Sequence, residues 1–114
     1  MPTVLVVDDE RSIRFSIQQV FRGEEINVIA AENAEQAYER VREEFPDVVL
    51  LDIRLGADDG LVVFDALRRI DPKCLVIFIT GHGTSETAIE AMKRGAFDYL
   101  VKPLNPEELL QRIA

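Results

Sequence analysis

The sequence predicts an α/β fold: an open, doubly wound parallel sheet of five strands with helices on both faces. Two patterns carry this expectation. Short runs that are apolar at every position recur along the chain, and strands that read this way are covered on both sides. Between them lie segments with apolar residues at helical spacing. The order is therefore βα five times over, which builds a parallel sheet through right-handed crossovers. Five units are too few for an eight-fold barrel, so the sheet stays open.

The first strand is placed at Val4 to Val7. Ile13, Ile17, Val20 and Phe21 then follow the i, i+4, i+7, i+8 rule, with Gly23 set to end that helix. Asn27 to Ala31 is a weaker strand. Asn33 and Gln36 have the form of a capping box before the stripe Ala34, Ala37, Tyr38, Val41, Phe45. Val48 to Leu51 is the third strand, and Leu61, Phe64 and Leu67 mark a helix that Asp71-Pro72 stops. Leu75 to Ile79 is the fourth strand. A helix from about Ser85 to Arg94 follows, with Thr84 as its cap and Gly95 after it. Tyr99 to Lys102 is a short fifth strand. Asn105-Pro106-Glu107-Glu108 supplies an N-cap, a proline at the first helical position and two first-turn acids.

The chain has 114 residues, with 13 Lys+Arg against 21 Asp+Glu and a net charge of -8. This length fits one domain, which buries roughly two-thirds of its unfolded surface. With 47% hydrophobic residues the acidity does not signal disorder. Its sign argues against a nucleic-acid partner, since the domain repels a phosphate backbone. Cys74 is the single cysteine, and Met1-Pro2-Thr3 does not open a secretory segment. Both point to the cytoplasm. The longest apolar run, Cys74 to Ile79, is far below the roughly 20 residues of a membrane span, so no membrane partner is expected.

In an open α/β sheet, ligands bind beyond the carboxyl ends of the strands. Four of the five ends carry a suitable polar group: Asp8, Asp9 and Glu10 after the first strand, Asp52 after the third, Thr80 at the fourth and Lys102 at the fifth. Carboxylates gathered in one cleft stay ionised only when a cation offsets them. The candidate ligands are all oxygens, which selects a hard ion, Mg²⁺. A carboxylate at Asp52 beside Mg²⁺, with the Lys102 ammonium and the Thr80 hydroxyl, is arranged to attack a phosphoryl group.

LVVDDE (5–10), VLLDIRLGADDG (49–60), Thr80-Gly81-His82-Gly83 and GAFDYLVKPL (95–104) resemble the receiver domain of two-component response regulators, most of all those of enhancer-binding transcription activators. The likeness runs over 1–114. It implies a flavodoxin-like sheet of order 2-1-3-4-5, with Asp52 as phosphoacceptor. It implies that Asp9 ligates Mg²⁺ directly, that Asp8 acts mostly through water, and that the backbone carbonyl of Arg54 completes the set. Thr80 would hydrogen-bond the phosphoryl group, Lys102 would pair with it, and Lys102-Pro103 would be a cis peptide. Thr80 and Tyr99 would form the switch, and the surface of helix four, strand five and helix five would change to control dimerisation or an output domain. The implied partners are a sensor histidine kinase, a second copy of the chain, and an output domain in a longer chain whose last helix is clipped here. Such a domain modifies itself and turns over no separate substrate.

The chain departs from the family after the acceptor, where Leu55-Gly56-Ala57-Asp58-Asp59-Gly60 replaces the common Met-Pro-Gly-Met-Asp-Gly. Glycine in place of proline is expected to loosen the loop, and Asp58 to add charge. Each site residue alone also has a plain reading, as a helix cap, turn residue or solvated lysine. Convergence on one rim of one sheet overrides these. His82, between two glycines, reads as a loop residue and Cys74 as a small buried one. Flavin binding on the same fold is disfavoured, because Asp8-Asp9-Glu10 stands where a phosphate-cradling loop is needed.

Overall fold

A computed structural model describes residues 2–56, 58–81, 85–102 and 104–113. Five strands, β1 (Thr3–Val7), β2 (Asn27–Ala31), β3 (Val48–Asp52), β4 (Leu75–Thr80) and β5 (Asp98–Val101), form one sheet. All its pairs are parallel, in the order β2-β1-β3-β4-β5. This is the expected 2-1-3-4-5 arrangement. The helices are α1 (Arg11–Val20), α2 (Ala34–Glu44), α3 (Gly60–Ile70), α4 (Ser85–Lys93) and α5 (Pro106–Ile113).

Period-two alternation along the strands sorts the core into two layers. Leu5, Val7, Val49, Leu51, Val76 and Phe78 pack with Ala37 and Val41 of α2, Phe64 and Leu67 of α3, and Ala91 of α4. Val4, Val6, Leu50, Ile77 and Ile79 face the other way, onto Ile17 of α1 and Leu109 of α5. Both sides of a central strand are thus buried, which explains the unbroken apolar runs. The edge strands are less covered: β2 is half-buried, and in β5 Leu100 is buried while Tyr99 and Val101 are exposed.

Local chemistry ends the helices mostly as expected. The Asn105 side chain accepts from the N–H groups of Glu107 and Glu108 at 2.9 and 3.3 Å. At the end of α4, Gly95 takes φ +102, and its N–H donates to Met92 O while that of Ala96 donates to Ala91 O. This is a Schellman termination. Asn33 caps α2 by accepting from Gln36 N, but Gln36 Oε1 returns to the N–H of Glu32, one residue earlier than the capping box anticipates. Phe45 corrects the expected α2 stripe. It is the C-cap, left-handed at φ 46 and 63% exposed, because Pro46 disfavours helical backbone in the residue before it. The fifth strand is also one residue earlier than expected, Asp98–Val101, so Lys102 follows the strand with its N–H still bonded to Thr80 O. Thr84, His82 and Pro103, with the expected cap and cis peptide, lie outside the described residues.

Gly60 opens α3 against the end of β3. A Cβ there would lie 2.6 Å from Ile53 O and 2.7 Å from Asp52 O, both backbone atoms that cannot swing aside. Gly60→Ala is expected to cost about 2–3 kcal/mol in urea unfolding. A loss below about 0.5 kcal/mol, the scale of a neutral surface change, would contradict this packing.

Candidate functional site

The backbone after β1 leaves the sheet with its polar groups committed. Asp8 N–H donates to Ala31 O at 3.1 Å, Asp8 Oδ1 accepts from Glu10 N at 2.9 Å, and Arg14 Nη1 donates to Asp8 O at 2.6 Å. The Asp8 side chain is fully buried. Its Oδ2 accepts no aligned hydrogen bond among the described residues and faces the Lys102 ammonium at 3.2 Å. Asp9, next along, is exposed. Both acids precede the N-terminus of α1, where the helix dipole favours negative charge.

Asp52 ends β3, held between β1 and β4, and is 6% exposed. Its Oδ1 accepts from Arg54 N at 3.0 Å, and its Oδ2 lies 3.3 Å from Lys102 Nζ. Burial pushes the Asp52 carboxyl above its ordinary value of 3.8; the Arg54 N–H opposes this, the Asp8 charge adds to it, and Lys102 opposes it. Burial acts to lower the Lys102 ammonium, but Asp52 and Asp8 outweigh it and hold the group above 10.5. One ammonium thus bridges two buried carboxylates. Thr80, 4% exposed, is next to this group at the end of β4, and Lys102 N–H donates to Thr80 O at 2.8 Å.

Asp52, Thr80 and Lys102 line a cleft of about 740 Å³ together with Asp9, Glu10, Arg54, Asp58, Asp59 and Thr87, and the fully buried Asp8 lies behind Lys102. One wall is a two-residue antiparallel ribbon, Arg54–Leu55 paired with Asp58–Asp59. Gly56 turns it at φ +60. Proline, locked near φ -65°, could not take that position, so this glycine shapes a turn.

The structure brings Asp8, Asp9, Asp52, Thr80 and Lys102 together, as the strand-end argument requires. Arg54 lies beside them with its N–H used on Asp52. Tyr99 is not in the cleft: it stands on the edge strand, 41% exposed, opposite Phe78 in the ladder. Sequence reasoning missed Arg14, which reads as one more solvated helical arginine, and Thr87 on α4. Nothing in the spacing of either residue marks it.

Residues 4–114 match the family model for the response regulator receiver domain. The chain belongs to the response regulator receiver domain family. It is 41% identical over 106 residues, 93% of this chain, to the transcriptional regulatory protein ZraR of Escherichia coli. It spans only 24% of that protein. The receiver domain of NtrX from Brucella abortus superposes with a TM-score of 0.89 at 35% identity, covering 95% of this chain and 92% of that one. A response regulator from Burkholderia pseudomallei, whose structure has a phosphorylated aspartic acid, a calcium ion and citrate, gives 0.91 at 28% identity, covering 100% of this chain and 67% of the other. Among the described residues, no helix is long and apolar enough to cross a membrane.

Oxygens of Asp8, Asp9 and Asp52 all lie within 4.8 Å of one another. An all-carboxylate set with one buried, poorly satisfied oxygen fits a hard divalent cation. The raised Asp52 carboxyl has a consequence for the metal-free protein. Its folded form binds a proton more tightly than the unfolded chain does, so stability falls as pH rises from 3.8 through the raised value. Asp52→Asn is therefore expected to melt higher than wild type at pH 7 in EDTA, with the gap closing as pH falls toward 3.8. Melting curves across that range check this; a less stable Asp52→Asn at pH 7 would contradict it.

Proposed function

We propose that the domain is a phosphorylation-driven signalling switch, with Asp52 as the acceptor. The observation that carries this reading is the pairing of Lys102 with both Asp52 and Asp8 at the floor of an acidic cleft. In the proposed reaction, a carboxylate oxygen of Asp52 attacks the phosphorus of a phosphohistidine on a sensor kinase. The P–O bond forms as the P–N bond breaks, and the imidazole leaves. Bound Mg²⁺ would supply positive charge against the phosphoryl oxygens and the acids around them. Asp8, Asp9, Asp52 and the backbone carbonyl of Arg54 are the groups to hold it. Lys102, already partly desolvated, offsets charge on the transferred group by exchanging a carboxylate partner for a phosphoryl oxygen.

The output runs through Thr80. Its hydroxyl, drawn toward the phosphoryl group, leaves space that Tyr99 turns to fill. The exposed outward position of Tyr99 is then the resting state. Ile89 and Met92 on α4, and Tyr99 and Val101 on β5, are all more than 40% exposed. Apolar side chains on a surface that repacks suit a contact made only after phosphorylation, with a second copy or an output domain. Since ZraR is a transcriptional regulatory protein, control of transcription in the cytoplasm is the process this reading favours. The domain is then a self-modifying switch, with no separate substrate to turn over.

Incubation with acetyl phosphate and MgCl₂ is expected to add one phosphoryl group by intact-protein mass spectrometry. Asp52→Ala or excess EDTA abolishes it; addition that persists under either condition sinks the assignment. Thr80→Ala is expected to be phosphorylated still but to uncouple the switch. In a Tyr38→Phe background Tyr99 is the one tyrosine left. Phosphorylation should shield its fluorescence from iodide when Thr80 is intact, but not when Thr80→Ala is added. Equal shielding in both proteins would refute the role of Thr80.

A further inference from the structure

Asp8 and Asp9 share one peptide plane, and that plane is held from outside the cleft. Its carbonyl, Asp8 O, accepts from Arg14 Nη1 at 2.6 Å, the shortest hydrogen bond described for this loop. A trans peptide points its carbonyl and N–H in opposite directions, so fixing Asp8 O also fixes the N–H of Asp9. Both carboxylates hang from this unit. Arg14 is positioned for the task by α1, since Arg14 N–H donates to Glu10 O in the first helical turn. Its side chain is 16% exposed. Its second nitrogen, Nη2, lies 3.8 Å from Glu32 Oε2, and Glu32 is in turn tied to Gln36 through Glu32 N–H to Oε1 at 3.0 Å and Nε2 to Glu32 Oε1 at 3.3 Å. The guanidinium thus connects the acidic loop to the start of α2.

We propose that Arg14 is a positioning residue for the cation site: by holding the Asp8 carbonyl it sets the angle at which Asp8 and Asp9 present their oxygens, and so sets affinity for a divalent ion. This rests on the reading of the cleft as a Mg²⁺ site. A planar guanidinium suits the role because its nitrogens diverge in fixed directions, one donating to a carbonyl and the other facing a carboxylate at ion-pair distance. The Asp8 backbone is left with little freedom, since its N–H, carbonyl and Oδ1 are all taken.

The sign of the effect separates this from simple electrostatics. A positive charge beside the cleft repels a dication, so if charge alone mattered, removing Arg14 would tighten Mg²⁺ binding. Positioning predicts the reverse. Outer partners of metal ligands typically contribute tenfold or more to affinity.

Calorimetric titration of metal-free protein with MgCl₂ at constant ionic strength tests the inference. Arg14→Ala is expected to weaken Mg²⁺ about tenfold, and Arg14→Lys, which keeps the charge and one donor, by less. Phosphorylation by acetyl phosphate should slow at low Mg²⁺ and return to near the wild-type rate at saturating Mg²⁺, a split that general destabilisation does not produce. Wild-type or tighter affinity in Arg14→Ala overturns the inference while leaving the Mg²⁺ site intact. Should Arg14→Ala fail to fold by circular dichroism, Arg14→Lys decides: weaker binding supports the inference and unchanged binding overturns it. A wild-type protein that takes up no Mg²⁺ removes both the inference and the site reading beneath it.

Discussion

One ammonium shared by two buried carboxylates is the constraint on which the rest of this domain depends. Lys102 Nζ is 3.2 Å from Asp8 and 3.3 Å from Asp52, and neither acid has another cation within ion-pairing distance among the described residues. Buried charge is tolerated only where it is paired and hydrogen-bonded, and here the pairing is incomplete by at least one negative charge before Asp9 is counted. The sheet therefore holds a charge imbalance at its carboxyl edge. In the proposed reading, that imbalance attracts a hard cation and leaves Lys102 ready to change partners.

The fold maintains this imbalance by making the surrounding backbone unable to relax. Asp52 ends a strand buried on both faces, and its neighbour Ile53 donates to Ile79 O at 3.0 Å, pinning the end of β3 to β4. Gly60 lets α3 close against the same turn with only backbone in contact. Across the cleft, the Asp8 loop is tied to β2 through Ala31 O and to α1 through Arg14. A site held by strand ends and helix starts keeps like charges together because separating them would require breaking the ladder.

The sheet was legible because its central strands are covered twice, so Val4 to Val7 and Val48 to Leu51 could not alternate. The rim was legible for the same reason: a polar residue directly after such a run has nowhere to go but the edge. What escaped the sequence was set by geometry beyond a single element. Phe45 fits the apolar spacing of α2, yet Pro46 turns it out as a left-handed cap. Gln36 satisfies an N–H one residue away from the expected one. Lys102 belongs to the cleft, with strand β5 ending before it. Arg14 carries no pattern at all, since its target is a carbonyl oxygen six residues back. Gly56, which a comparison of motifs reads as looseness, supplies the φ of +60 at the tip of the ribbon.

The central claim is that the buried acids are short of positive charge until a divalent ion binds. Ligand that binds only the folded state raises its stability by an amount that grows with the logarithm of concentration. The direct measurement is the melting midpoint in MgCl₂ compared with NaCl of equal ionic strength, for wild type and for Asp9→Asn, whose exposed side chain leaves the core untouched. The midpoint is expected to climb with Mg²⁺ in wild type and to climb far less in Asp9→Asn. Identical curves in the two salts for wild type would contradict this claim.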